Sequence, residues 1–332
     1  MTFNKKNIYK AVNWNKKDDG FTQAFWDQNV KQFWLPEEIS VSKDLKCWNN
    51  DLTLEEKTLY KKVFGGLTLL DTKQANDGVP TMMSLTEDMQ RKAVLSFMGT
   101  MEEIHAKSYS SIFMTLLSTQ EIDDLFTWIE DNEFLQKKAD IVLANYKSTY
   151  TKEELYMSMA TSVMLESFLF YSGFYYPLYM AGQGKMVASG EIISLILRDE
   201  SLHGKYIGLL AQELLQEFSD DKKEELRLKV LDLLEKLMEN EINYVKNIYS
   251  EVDTVKTKGI IKEVIKFMEF NANTALANLG YKARYDIKEN DINPIVLNGL
   301  STETKTHDFF SVKGNGYQKG IYEDLQDEDF II

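Results

Sequence analysis

The sequence predicts an all-α protein with a four-helix bundle core, additional helices and a flexible C-terminal tail. Apolar residues recur at intervals of three and four over long stretches, which is the helical period. Only four prolines occur in 332 residues, and an interior proline costs a helix about 3 kcal/mol, so long helices are permitted. No stretch of alternating apolar and polar residues is long enough to predict a strand, and no repeat of roughly 20–50 residues indicates a solenoid.

The first bundle helix is predicted to begin at Thr53. Glu56 follows three residues later and completes a capping box. Apolar positions then recur with the helical period, and Asp71 lies on the same stripe, whose other members are Tyr60, Val63, Phe64, Leu67, Leu70 and Gln74. The preceding residues 1–50 are expected to be irregular, with scattered aromatic side chains and a helix start near Pro36.

Further helices are predicted in the rest of the chain, at about 85–117, 152–180, 189–218, 220–251 and 255–279. We expect one helical domain over residues 1–292 and a flexible tail over 293–332. The tail contains helix-breaking glycines and ends in acidic and apolar residues. This composition is typical of a frayed terminus, but it also suits a segment that becomes ordered on a partner.

The composition indicates a folded, acidic protein and excludes several classes of function. A hydrophobic content of 44% is ample for a core. The net charge of −14 opposes nucleic-acid binding. Cys47 is the only cysteine, so no intramolecular disulfide can form. With neither a leader-like apolar segment at the start nor an apolar run of about 18 residues, we expect a soluble cytoplasmic protein without membrane contact.

Two of the three histidines have a glutamate three residues earlier, as Glu102 before His105 and Glu200 before His203. An offset of three places both side chains on one face of a helix, where they can reach a single ion. Both pairs lie within apolar stripes, and a buried charge must be paired or bind a metal. Asp71 and Glu166, each on its own apolar helix, supply two more carboxylates.

In chain order these residues form the pattern acid, Glu-x-x-His, acid, Glu-x-x-His on successive helices. This arrangement is that of ferritin-like bundles that bind two iron or manganese ions, and its oxygen and nitrogen donors suit those metals. Tyr109 lies one turn after His105 and would be an oxidisable side chain beside the metals. Phe170 and Phe174 lie on the metal-facing side of their helix, either as an unreactive wall or as ordinary core.

The sequence resembles the small, radical-generating subunit of class I ribonucleotide reductases, most closely class Ib, over nearly its whole length. The resemblance is most specific in five segments: Gly-Gly-Leu-Thr-Leu-Leu-Asp71-Thr, Glu102-Glu-Ile-His105-Ala-Lys-Ser-Tyr109-Ser, Leu-Glu166-Ser-Phe-Leu-Phe-Tyr-Ser-Gly-Phe174, Arg198-Asp199-Glu200-Ser-Leu-His203-Gly and Asp308-Phe-Phe-Ser-Val-Lys-Gly-Asn-Gly-Tyr317. It implies that the metal pair, after reaction with an oxygen species, oxidises Tyr109 to a stable radical. That radical would then serve a separate large subunit in reducing ribonucleotides to deoxyribonucleotides.

The resemblance also implies a route and partners. Asp199 would join His105 to the indole of Trp34, and Tyr317 would relay the radical to the large subunit, with Tyr322 as the rival for that role. The cofactor would be two manganese ions, activated through a flavodoxin-like protein, or two iron ions activated by oxygen. A homodimer is expected.

Two other functions share the metal pattern. A di-metal oxidase or hydroxylase of the same fold would use the same six ligands, and a ferritin-like storage protein would use a similar bundle. Neither needs Tyr109 or an acidic tail that carries a tyrosine, so both features favour the reductase subunit over a fold analogy alone.

Overall fold

The computed structural model describes residues 9–16, 19–147, 151–253 and 258–300. Four long helical segments carry the predicted ligands: α3 (Leu54–Lys73), α5 (Met89–Leu116), the pair α8 (Lys152–Met164) and α9 (Tyr171–Ala181), and α10 (Val187–Leu215). Helix α5 packs along α3, and α10 packs on α8, α9 and α5. Among the described residues there is no β-strand. The predicted all-α, ferritin-like architecture is therefore confirmed.

The start of the first bundle helix is as predicted. The backbone N–H of Thr53 donates to Glu56 Oε2 at 2.7 Å, and the N–H of Glu56 donates to Thr53 Oγ1 at 3.3 Å. This reciprocal pair satisfies two of the backbone donors that a helix start leaves without partners. It fixes the residue at which α3 begins.

Two π-helical turns interrupt the bundle beside the predicted ligands. One spans Gln74–Gly78, directly after α3, and the other spans Leu165–Leu169, between α8 and α9. A continuous helix was predicted at about 152–180; the extent is close, but the inserted turn was not foreseen. This segment is buried on all sides, so apolar residues occupy every face of the helix. The sequence therefore does not show where one turn contains an extra residue. Such turns are frequent at functional sites.

The prediction of irregular structure before residue 50 was wrong for two stretches, whereas the helix start expected near Pro36 is present as a short 3-10 helix, Pro36–Glu38. Helices α1 (Thr22–Lys31) and α2 (Leu45–Asn50) form there, and α1 packs along α5 and α10. A ten-residue helix is marginal in isolation and depends on tertiary packing, so the local sequence signals it weakly. Helices α4 (Val79–Leu85), α6 (Thr119–Asp131) and α7 (Glu133–Tyr146) complete the stretches between the bundle helices.

The C-terminal part of the described chain extends the helical body. Helices α11 (Asp220–Tyr249) and α12 (Ile260–Asn278) match the predicted positions, and α12 packs on the second π-helical turn. Helix α13 (Pro294–Leu300) packs against α9 and buries Val296 completely. The body therefore continues past residue 292, where the tail was expected to begin, because α9 offers an apolar surface that α13 covers. Residues 301–332 of the expected tail lie outside the described residues.

None of the helices in the described ranges is long and apolar enough to cross a membrane.

Candidate metal centre

Six side chains from the four bundle segments converge in the interior, and none of them is exposed to solvent. Asp71 comes from the last turn of α3, and Glu166 comes from the second π-helical turn. The central turns of α5 and α10 supply Glu102, His105, Glu200 and His203. The structure thus brings together all six residues that the spacing singled out.

The six residues form two overlapping groups whose ligand atoms lie within 4.8 Å of one another. One group is Asp71, Glu102, His105 and Glu200, and the other is Glu102, Glu166, Glu200 and His203. His105 Nδ1 lies 2.9 Å from Glu200 Oε1, whereas His203 Nδ1 lies 2.7 Å from Glu102 Oε1 and 3.2 Å from Glu200 Oε2. Glu102 and Glu200 belong to both groups, so each would contribute to holding both ions.

Many polar atoms of this cluster have no hydrogen-bond partner in the described part of the chain. They are both oxygens of Asp71, both oxygens of Glu102, Glu166 Oε2, Glu200 Oε1, His105 Nδ1 and His203 Nε2. Buried polar atoms in native proteins are nearly always satisfied, so a group of them lying close together indicates a cation-binding site. Four carboxylates would balance the charge of two divalent ions, and oxygen and imidazole donors suit iron or manganese.

The pKa shifts show that the cluster has too little positive charge. Burial raises the pKa of Asp71 and of Glu166 well above the ordinary range, and the neighbouring glutamates raise both further. Burial alone would lower the pKa of His203, but Glu102 and Glu200 outweigh it and raise that pKa to about 10. The pKa of His105 is raised in the same way, chiefly by Glu200. The carboxylates draw protons onto the imidazoles that a bound cation would displace.

Tyr109 is completely buried one helical turn after His105. Its hydroxyl has no hydrogen-bond partner among the described residues, and its ring packs against Phe64 with the centroids 5.6 Å apart. Burial raises the pKa of Tyr109 well above its ordinary value, and the charges of Asp71 and Glu200 add to this effect. The phenol is therefore protonated at neutral pH. Phe170 and Phe174 are also fully buried and stack on each other at 5.7 Å.

Asp199 connects the cluster to Trp34, as the resemblance implied. Trp34 Nε1 donates to Asp199 Oδ2 at 2.7 Å, and His105 Nε2 lies 3.2 Å from the same oxygen. The Trp34 and His105 rings are nearly parallel, 20° apart, with their centroids separated by 6.1 Å. All three side chains are buried. Tyr317 and Tyr322 lie outside the described residues.

Two glutamines in contact with the cluster were not singled out from the sequence. Gln32 Nε2 donates to Asp199 Oδ1 at 2.7 Å, and Gln74 Nε2 donates to Glu166 Oε1 at 2.5 Å. Gln74 did carry a signal, since it is a polar residue on the buried stripe of α3. Gln32 carried none, because it meets Asp199 across 167 positions of the chain.

Comparisons with known proteins agree with this geometry. Residues 11–294 match the family model described as ribonucleotide reductase, small chain. The ribonucleoside-diphosphate reductase subunit beta of Bacillus subtilis is 54% identical over 328 residues, which is 98% of this chain and 97% of that protein. The ribonucleoside-diphosphate reductase 2 subunit beta of Escherichia coli is 40% identical, over 96% of this chain and 97% of that one.

A solved structure is also similar. The crystal structure of dimanganese(II)-NrdF from Streptococcus sanguinis superposes with a TM-score of 0.84 at 44% identity, covering 89% of this chain and all of that one. In sequence and fold, this chain is thus similar to these proteins over nearly its entire length. This chain belongs to the ribonucleotide reductase small-chain family.

Proposed function

We propose that this chain is the radical-generating beta subunit of a ribonucleoside-diphosphate reductase of the class Ib type. Its partner is the large subunit, on which ribonucleotides are reduced to deoxyribonucleotides. The observation that carries the proposal is the burial of Tyr109 one helical turn from a cluster of four carboxylates and two imidazoles. Such a position suits the oxidation of a side chain.

The proposed ligands of two metal ions are Asp71, Glu102, His105, Glu166, Glu200 and His203. When bound, two manganese or two iron ions supply the oxidising power that removes one electron from Tyr109. Glu102 and Glu200 are placed to be shared between the two ions. Asp199 faces Nε2 of His105, which leaves Nδ1 directed at the metals; contacts of this kind select the tautomer of a ligand.

Tyr109 is the proposed radical site. Because its phenol is protonated, it must lose a proton as it is oxidised, and the unpaired carboxylate oxygens of Asp71 and Glu102 are nearby acceptors. Complete burial against Phe64 keeps water and reductants away from the ring. A long-lived radical needs this protection.

The proposed route out of the site runs through Asp199 and Trp34. The two hydrogen bonds at Asp199 Oδ2 join His105 to the indole without a gap. Beyond Trp34 the radical equivalent would pass to Tyr317 in the tail, with Tyr322 as the alternative, and from there to the large subunit.

Further proposed partners follow from the class Ib resemblance. They are a flavodoxin-like protein that activates the metal site and a second copy of this chain in a homodimer. The two metals of the Streptococcus sanguinis relative favour manganese for this chain, although the ligand set suits iron equally. The proposed compartment is the cytoplasm, which is consistent with a chain that has one cysteine.

The test is a Tyr109→Phe variant. The full chain is loaded with metal, activated and examined by electron paramagnetic resonance. We expect a tyrosyl radical signal in the wild type and none in the variant, while both bind the same amount of metal, since no ligand has changed. Tyr244→Phe is the matched control, because it also removes a buried hydroxyl that has no hydrogen-bond partner within the described ranges. A full signal in Tyr109→Phe would assign the radical to another residue.

A further inference from the structure

Gln74 makes an unusual set of contacts behind the metal cluster. It is completely buried at the start of the first π-helical turn, three residues after Asp71. Its Nε2 donates to Glu166 Oε1 at 2.5 Å and to Ser162 Oγ at 2.6 Å. Its Oε1 accepts a hydrogen bond from the Tyr146 hydroxyl at 2.8 Å. The two N–H donors and the oxygen of this amide are therefore all engaged.

These contacts allow only one orientation of the amide. If the amide were flipped, its oxygen would face the Glu166 carboxylate, which can only accept when ionised, and the hydrogen bond would be replaced by repulsion. The Glu166 carboxylate thus sets the direction in which Gln74 donates, and the Tyr146 hydroxyl donates to the amide oxygen in that orientation. The Gln74 side chain is held rigidly because both of its N–H donors and its oxygen are engaged.

Gln74 makes Glu166 different from the other carboxylates of the cluster. The hydrogen bond occupies Oε1 of Glu166, while Oε2 has no hydrogen-bond partner in the described chain and lies 4.0 Å from His203 Nδ1. In the described chain, Asp71 and Glu102 have both oxygens unpaired, and the partner of Glu200 Oε2 is His203, which is itself a member of the cluster. Glu166 therefore presents one oxygen to the cluster, and it belongs only to the group that contains His203.

We propose that Gln74 is a positioning residue that restricts Glu166 to one-oxygen ligation of the metal ion on the His203 side. The inference rests on the proposed metal centre and adds an asymmetry between its two ions. An amide that donates to one carboxylate oxygen prevents that carboxylate from chelating with both oxygens or rotating away. The ion on the His105 side has no such amide on Asp71, so it does not depend on Gln74.

The two π-helical turns explain how the contact arises. Gln74 begins one turn and Glu166 lies in the other, and each turn departs from the regular helical register. The Gln74 amide is thereby brought to the carboxylate from a helix 92 positions away. The same local irregularity that places the ligand thus also places the group that orients it.

The test is a manganese titration of the metal-free full chain, followed by electron paramagnetic resonance, with Gln74→Met as the variant. Methionine has a similar length and no donor. We expect wild-type protein to bind two ions as an exchange-coupled pair. Gln74→Met should keep one ion with unchanged affinity and bind the other about 10–100-fold more weakly, which is the usual cost of removing a residue that orients a ligand. At two equivalents the signal of an isolated manganese ion would then persist.

Gln90→Met is the matched control. Gln90 is a buried glutamine at the start of α5, and its amide donates to the backbone carbonyls of Asn13 and Lys16. Its substitution should leave both manganese affinities unchanged. Anomalous scattering from crystals of Gln74→Met should locate the retained ion on the His105 side.

Several outcomes would overturn the inference. They are two unchanged affinities in Gln74→Met, an equal weakening of both ions, or an ion retained on the His203 side. If Gln74→Met does not fold, Tyr146→Phe replaces it, since that variant removes the hydrogen bond that the Gln74 amide oxygen accepts and loosens the amide. It should weaken the same ion by a smaller factor, and unchanged affinities would again contradict the proposal. If the wild type does not bind a coupled pair, the metal centre itself is refuted.

Discussion

At the scale of single residues, Asp199 has more partners than any sequence pattern around it indicates. Oδ1 accepts from Gln32, and Oδ2 accepts from Trp34 and faces His105 Nε2. Both oxygens of a buried carboxylate are thus held by neighbours from the segment that follows α1 and from α5. An aspartate held this way keeps one orientation, which a route between a metal ligand and an indole requires.

Trp34→Phe should separate radical formation from radical transfer. The variant removes the indole N–H that donates to Asp199, but it leaves the six proposed ligands and Tyr109 in place. We expect a normal tyrosyl signal and metal content, with turnover in the presence of the large subunit reduced to background. The measurements are electron paramagnetic resonance and deoxyribonucleotide formation on the same sample.

Trp48→Phe is the control for this variant. Trp48 is also buried, and its ring contacts Tyr60 rather than a member of the proposed route. It should keep turnover, so a loss in both variants would point to a general packing defect. Normal turnover in Trp34→Phe would remove Trp34 from the route.

At the scale of elements, α10 depends on a cap that comes from a distant part of the chain. Asp44 accepts hydrogen bonds from the backbone N–H of Ala188 at 3.0 Å and from the N–H and hydroxyl of Ser189 at 2.8 and 2.7 Å. Met186, which precedes the helix, adopts a left-handed conformation with φ of 50°. A negative charge at a helix N-terminus is favourable, so Asp44 anchors the helix that carries Glu200 and His203.

Asp44→Ala should lower the free energy of unfolding by about 1–2 kcal/mol, the usual cost of losing a capping side chain. The cause is that the first backbone donors of α10 lose their acceptor in a buried place. Urea unfolding of the metal-free chain measures the change. The control is Asp27→Ala, an exposed position on α1, where a change within about 0.5 kcal/mol is expected. Equal stability of the two variants would show that the cap is dispensable.

The start of α1 predicts a dependence on pH. Partial burial raises the pKa of Asp19, but hydrogen bonds from Thr22 and Phe21 and the charge of Arg91 outweigh it, so the pKa is lowered. Because its pKa is lowered on folding, the Asp19 carboxylate makes its full contribution to the free energy of unfolding at pH values above its pKa in the unfolded chain, about 3.9. This contribution is lost as the pH falls through the folded value.

Asp19→Ala should therefore destabilise the chain at neutral pH and lose its effect in acid. The measurement is the difference in urea midpoint between wild type and variant at several pH values, because other titrating groups cancel in that difference. We expect the difference to be constant above about pH 5 and to shrink below about pH 4. A difference that persists unchanged at pH 3 would show that the Asp19 charge is not what stabilises α1.

At the scale of the whole molecule, the metal centre and the segment proposed to meet the large subunit are separate parts of the chain. The six ligands and Tyr109 all lie within the described body, whereas Tyr317 and Tyr322 lie in the last part of the sequence. Deleting residues 313–332 should abolish turnover with the large subunit while metal content and radical yield remain normal. Assay of turnover and radical on one preparation checks this, and continued turnover would mean that the large subunit is recognised elsewhere.

The sequence by itself determined the helical class, the approximate bounds of the bundle helices and the six residues that meet in the centre. The physical reason is that these features are local: a period of three and four, a capping box at Thr53, and an offset of three between glutamate and histidine all act within one helix. The carboxylates lie on apolar stripes and were therefore expected to be buried. A buried charge needs a partner of opposite charge or a metal ion, and this requirement does not depend on how the helices pack.

Only the tertiary structure decided the contacts that join distant parts of the chain. Gln32 meets Asp199, Asp44 caps α10, and Gln74 meets Glu166 across two π-helical turns. It also showed that α1 and α13 are part of the packed body. These features depend on which surfaces lie opposite each other after folding, and a short helix or a buried amide gains its stability from that packing rather than from its own sequence.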